Sequence, residues 1–237
     1  MDILSSLAIV TLAGLTHASF QLSVSVLTLL SGHAIGSKKS RSRTLSLTFS
    51  FISGAMVMTV LLLSLLAYIL VSLFGSNSPD ILWSIACGLM IGVGIAVWLF
   101  YYRREKGTAL WIPRGIAAYL TDRTKATKHS AESFALGLTS ILGELLFIIA
   151  PLFITALVLT QLGPIWQLAG IALYAIVASM PLKSVWISIS SGHKLSDIQK
   201  WRESNKYFLQ FAAGSGLIIL GIFTYVVKVL GDTVIGL

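Results

Sequence analysis

The chain contains a single cysteine, Cys87, in 237 residues. One thiol can form neither an intramolecular disulfide nor a four-cysteine metal site. Charge is also scarce. Asp, Glu, Lys and Arg make up 11% of the residues, against roughly 25% in a soluble domain, so the surface is expected to meet lipid. There is no phosphate-cradling glycine loop, no zinc-spaced Cys/His set and no Ser-His-Asp constellation. These absences argue against ATP-driven work by the chain alone and against an enzyme, and nothing in the sequence calls for a cofactor or a metal. The first residues lack the basic stretch of a cleavable leader. They carry Asp2 instead, and the apolar run continues to Leu30, so it reads as a first membrane span.

What the chain does have is apolar length. It is 56% hydrophobic with a mean hydropathy of +0.87. A spanning helix needs about 20 mostly apolar residues, and six stretches qualify: 4–30, 44–74, 81–102, 132–160, 165–190 and 206–229. All but two of the 17 Lys and Arg residues fall in three clusters. The first is Lys38, Lys39, Arg41 and Arg43. The second runs from Arg103 to Lys128, and the third from Lys194 to Lys206. The hairpins at Gly75–Asp80 and around Gln161–Pro164 have no base. Cytoplasmic loops keep Lys and Arg while translocated loops lack them. The expectation is therefore an all-α, polytopic protein of the plasma (inner) membrane, with both termini outside. The formal charge of +8 does not imply nucleic acid, because the bases sit where they face an anionic leaflet. The expected partner is the lipid bilayer. Trp83, Trp98, Trp166 and Trp186 fall near span ends, as an aromatic belt does.

The two halves resemble one another. Gly14-Leu15-Thr16 lies in AGLTHASFQL and Gly137-Leu138-Thr139 in LGLTSILGEL. The offset, 137 − 14 = 123, also sets Gln21 on Glu144 and Leu22 on Leu145. GLMIGVGIAVWLF from Gly88 rhymes with GLIILGIFTYVV from Gly216. A three-span unit repeated once must be inverted, because three is odd, and the charge pattern independently gives that inversion. The expected organisation is repeat 1 over 1–102, a cytoplasmic linker over 103–131 and repeat 2 over 132–237. The linker has an amphipathic pattern in Trp111, Ile112, Ile116, Tyr119 and Leu120, which suits a short helix on the inner surface, with a flexible tether between the two halves as the alternative. Inverted repeats are common in secondary transporters and place a site near the midplane.

The segments AGLTHASFQLSVSVLTLLSG, LSLTFSFISGAMVMTVLLLSLLAYIL, ALGLTSILGELLFIIAP and ALYAIVASMPLKSVWIS resemble the CcdA/DsbD family, within a broader group that includes LysE-type exporters. The resemblance implies two inverted three-helix repeats in an inner membrane. It also exposes a departure. Redox members carry a cysteine-proline motif in the first helix of each repeat, whereas here those stretches read Thr16-His17-Ala18-Ser19 and Thr139-Ser140-Ile141-Leu142. Thiol–disulfide exchange needs an attacking and a leaving sulfur, so the scaffold must serve another use.

Glu144 is the sharpest candidate for that use. A charged group at mid-span costs about 2.5–3.5 kcal/mol on insertion scales, and such acids often mark a proton or ion path. The bland alternative is a structural acid bonded to a neighbouring helix. His17, Gln21 and Ser25 are four apart and share one helical face, with Thr16 beside them and Thr139 at the position equivalent to Thr16. That face is expected to line a polar cavity opposite Glu144, or else to make interhelical hydrogen bonds. Pro151 and Pro181 remove backbone donors and predict kinks or breaks that free carbonyls. Lys183 is expected to snorkel to the inner interface, with pairing to Glu144 the alternative. Glycine in the Ser-Gly-His runs at 31–33 and 191–193 suits helix C-caps.

The function these features predict is a secondary transporter or exporter of a small solute or ion. The alternative is a non-redox membrane scaffold that supports a partner subunit or a homo-oligomer. The orientation is directly testable. A cysteine placed at Asn77 should react with an impermeant thiol reagent added outside, and one at Ser40 should not; the reverse pattern would overturn the topology.

Overall fold

The structure is a computed structural model and describes residues 2–21, 41–76, 78–101, 127, 129–192 and 195–231. The elements in chain order are α1 (Ile3–Gln21), α2 (Arg41–Phe74), α3 (Asp80–Ala96), α4 (Ser130–Thr160), α5 (Pro164–Ala178), α6 (Met180–Ser190), α7 (Leu195–Ser204) and α8 (Lys206–Thr224). Wider π-helical segments continue α3 over Val97–Tyr101 and α8 over Tyr225–Leu230. No strand occurs among the described residues. Five helices are long and apolar enough to cross a membrane, and α5 with α6 makes a sixth if the bent pair is one span. This architecture is suited to a multi-pass membrane protein. An all-helical solution follows from apolar sequence, because a helix satisfies its own backbone polar groups where no water can.

The expected span boundaries hold closely for α2, α3, α4 and α8. The second half of the first expected span, 22–30, lies outside the described residues, as does the amphipathic pattern of the linker. Span 5 is broken: α5 and α6 meet at 51°. Pro181 lacks an N–H and its ring opposes the carbonyl four residues back, so the helix stops at Ala178 and restarts with Pro181 in its first turn. Pro151 behaves differently. It sits inside α4, which runs unbroken to Thr160, so the break expected beside Glu144 is absent. The segment after span 5 also differs from expectation. Instead of a plain loop it carries the short helix α7, following a turn in which Gly192 takes φ +87°, the left-handed cap conformation that favours glycine.

α4 is the centre of the bundle. Its most apolar window is 72% buried, against 17% for α2. α2 shows Phe49, Leu61, Leu65, Tyr68 and Leu73 on its surface, a face that only lipid or another apolar surface covers. α4 packs along α2 and also against α1 and α3. α1 packs on α5 and α8, and α3 packs on α8. Glycine sets the closest of these approaches. Side chains added at Gly54 of α2 or Gly137 of α4 would run into the backbone carbonyls of Phe134 and Phe51 respectively. Ser133 then reaches across to donate to the Leu47 carbonyl at 2.6 Å. Small residues that let backbones touch are how helices associate in lipid.

This crossing predicts a contrast between two glycine substitutions. Gly137→Ala should destabilise the bundle by about 1–3 kcal/mol, the usual cost of overpacking. Gly92→Ala meets nothing within 4 Å and should be neutral or slightly stabilising. Thermal unfolding of the purified variants in detergent checks both; equal melting temperatures would remove the α2–α4 contact as the constraint.

Candidate functional site

A polar cluster lies between α1, α4 and α5. Glu144 sits in the middle of α4 with no exposed surface, and His17 on α1 is equally buried. The imidazole Nε2 lies 3.6 Å from Glu144 Oε2. Its other nitrogen, Nδ1, is 3.0 Å from the hydroxyl of Tyr174 on α5, itself fully buried. Three side chains from three helices thus form one line, Tyr174–His17–Glu144. The Phe20 and Phe147 rings stack at 5.4 Å beside it.

Local sequence builds this line. Gly14 lies one turn before His17 on α1, and a Cβ there would stand 3.1 Å from Val177 and 3.4 Å from the Tyr174 carbonyl. The missing side chain lets α5 approach and delivers Tyr174 to the imidazole. On the other flank, Gly216 of α8 would meet the Thr16 hydroxyl at 3.5 Å. Gln21 is one turn beyond His17, almost fully buried, and its Oε1 accepts no hydrogen bond. Ser140 is buried one turn before Glu144, donating to the Gly137 carbonyl at 2.8 Å.

The geometry has a definite chemical capacity. At 3.6 Å the Nε2–Oε2 separation is too long for a hydrogen bond but close enough for strong mutual influence. An imidazole donates from one nitrogen and accepts at the other, and the tyrosine hydroxyl does either. When Tyr174 donates to Nδ1, Nε2 carries its hydrogen toward the carboxylate. When Nδ1 donates to Tyr174, Nε2 turns its lone pair toward the carboxyl group. The same heavy atoms therefore support both arrangements, which differ in the position of protons. No group of three or more His, Cys, Asp and Glu suited to a metal occurs among the described residues.

Of the residues singled out from sequence, Glu144 and His17 come together, and Gln21 is buried one turn further along α1. Thr16 is buried next to His17, but its hydroxyl donates to the Leu12 carbonyl at 2.8 Å. Thr139 likewise donates within its own helix, to Ala135 at 2.7 Å. The Pro151 carbonyl accepts from the Thr155 hydroxyl at 2.7 Å. Pro181 and Lys183 belong to the α5–α6 break, where the Lys183 ammonium donates to the Ile176 carbonyl at 3.3 Å rather than pairing with Glu144. Ser25 lies outside the described residues. Tyr174 was not anticipated. It is the only tyrosine in span 5, a signal that gains meaning only once His17 is known to face it.

The pair predicts unequal costs. His17→Leu removes the imidazole beside a buried acid and should cost about 3–5 kcal/mol. Tyr174→Phe removes one hydroxyl contact and should cost about 1 kcal/mol. Thermal unfolding in detergent separates them; a His17→Leu variant as stable as the parent would show that the contact with Glu144 is incidental.

Comparison of the chain with family models, with curated proteins and with solved structures gives no match.

Proposed function

We propose that this protein is a secondary transporter, an exporter of a small solute or ion, in which Glu144 is the coupling or binding acid and His17 its partner. One observation carries the reading: the Tyr174–His17–Glu144 line is fully buried at the centre of a bundle whose outer helices face lipid. Ionisable groups at that depth are expensive and are usually kept where a proton or an ion must pass. Gln21 and Ser140 add polar atoms on the neighbouring turns of α1 and α4.

The reading includes an inverted repeat and a scaffold like that of the LysE and CcdA/DsbD group, with both termini outside the plasma membrane. Reciprocal helix contacts support the repeat. Gly14 on α1 meets Tyr174 and Val177 on α5, while Gly137 on α4 meets Phe51 and Ala55 on α2. The same offset relates both sides: 137 − 14 = 123 and 174 − 51 = 123. In the third and sixth spans, Gly94 meets Gly214, Leu217 and Ile218, and Gly221 meets Cys87, Met90 and Ile91. Each partner is displaced by one value: 221 − 94, 214 − 87, 217 − 90 and 218 − 91 all equal 127. Contacts in which i meets j and the equivalent of j meets the equivalent of i are the mark of a twofold relation. This register differs by one residue from the Gly88–Gly216 alignment.

Glu144 is then expected to face one side of the membrane at a time, as alternating access requires. The test is reconstitution into liposomes with a panel of small solutes and an imposed pH gradient. The wild type should show flux of one solute class that depends on pH. Glu144→Gln keeps shape and should insert normally yet lose that pH dependence. Unchanged, pH-dependent flux in Glu144→Gln would remove the acid from the mechanism. Absence of flux for the whole panel would favour the membrane-scaffold reading.

A further inference from the structure

The α3–α8 crossing is one of the contacts between the two proposed repeats, and its ends are not equivalent. At one end, α3 widens into its π-helical segment at Val97–Tyr101. A π turn shifts the backbone pairing by one residue and such turns concentrate at functional sites. Gln210 of α8 donates from Nε2 to the carbonyls of Val97 and Trp98, both at 2.8 Å. In return, Trp98 Nε1 donates to the Phe211 carbonyl at 3.2 Å. The Trp98 ring stacks on Phe211 at 5.9 Å, nearly parallel. It also lies against Gly214, where any side chain would collide with the indole. Donors and rings thus fasten the two helices from both sides.

The offset of 127 carries Gln210 to Trp83, and Val97 and Trp98 to Thr224 and Tyr225. The second π-helical segment begins there, at Tyr225. The fastening does not repeat. Trp83 is fully buried, but its Nε1 has no hydrogen-bond acceptor. Thr224 is fully buried and its hydroxyl has no partner. Thr16, Thr59, Thr155 and Thr160 are also buried, and each donates to a carbonyl of its own helix. The Lys228 ammonium lies over the Trp83 ring at 5.4 Å. Buried polar groups are normally satisfied, so the two orphans at this end contrast with the bonded groups at the other.

We propose that the α3–α8 crossing is a two-ended clasp that gates the site at His17 and Glu144, fastened here at its Gln210 end and unfastened at its Trp83 end. The proposal rests on the transporter and repeat readings above. α8 touches α1 at Thr16, beside His17, and α3 packs on α4, which carries Glu144. Rocking at this crossing therefore reaches both halves of the site. With the termini outside, the fastened end faces the cytoplasm. Fastening the opposite end gives the Trp83 and Thr224 groups acceptors while releasing Gln210, which is the exchange that alternating access requires.

The clasp is read by distances between spin labels in nanodiscs, on a Cys87→Ser background. One pair is placed at Leu99 and Tyr207 for the Gln210 end and another at Ile81 and Val226 for the Trp83 end; all four positions are exposed. Gln210→Leu and Trp98→Phe should each add a longer-distance population at 99–207 and speed hydrogen exchange of the 97–101 amides about tenfold or more. Trp83→Gln places the fastening side chain at the equivalent position and should shorten or narrow the 81–226 distribution. Trp98→Phe keeps an aromatic ring for Phe211 but removes the indole N–H and the part of the ring packed on Gly214, so it carries the test if Gln210→Leu does not fold. Distances and exchange unchanged in Trp98→Phe and in a folded Gln210→Leu would overturn the clasp, even if wild-type liposomes show flux. Shifted distances with no flux for any solute would keep the clasp and sink the transport reading instead.

Discussion

How closely the backbones approach is the constraint on which the rest of this bundle depends. Lipid tails are as apolar as the side chains they meet, so no hydrophobic force holds one helix to another. Cohesion comes from dispersion and from the few hydrogen bonds that short distances permit. Gly54 and Gly137 let α2 and α4 touch at the main chain, Gly14 admits α5 to α1, and Gly94, Gly214 and Gly221 bring α3 onto α8. Each approach then sets up a polar contact that a wider separation would lose. Ser133 reaches Leu47, Tyr174 reaches His17, and Gln210 reaches Val97.

The cost of the buried dyad is carried by that framework. A carboxyl and an imidazole at full burial gain from each other only if held in place, and removing either one uncovers part of the other's desolvation cost. α4 supplies the rigid half. It stays helical through Pro151, with Thr155 on the Pro151 carbonyl. α5 supplies the adjustable half, because it ends at a 51° bend one turn beyond Tyr174. Ser179 and Lys183 take up carbonyls of Ala175 and Ile176 at that bend, so the break leaves few backbone groups exposed to hydrocarbon.

Part of this was legible in the residues. Glu144 stands out because a lone acid in a long apolar run has few structural reasons to be there, and His17 and Gln21 follow from helical spacing. The break at span 5 follows from Pro181. At Pro151 no break occurs, because α4 is enclosed on several sides and its helix continues through the proline. The sequence alone passes over Tyr174, since one tyrosine in an apolar span reads as a belt or core residue until its hydroxyl is seen beside an imidazole. α7 was missed because its apolar residues are few and its spacing short.

The sequence by itself determined the material: long apolar runs suited to helices that cross a membrane, basic clusters that alternate with base-free hairpins, and an acid in the middle of an apolar run. Those properties are local, or additive along the chain, and no partner is needed to read them. Tertiary structure alone decided which polar atoms meet. The line from Tyr174 through His17 to Glu144 joins residues 157 positions apart, and the inequality of the Gln210 and Trp83 ends depends on which side chains find a carbonyl across a crossing. Such encounters are set by interhelical distance and rotation, quantities that no single helix encodes.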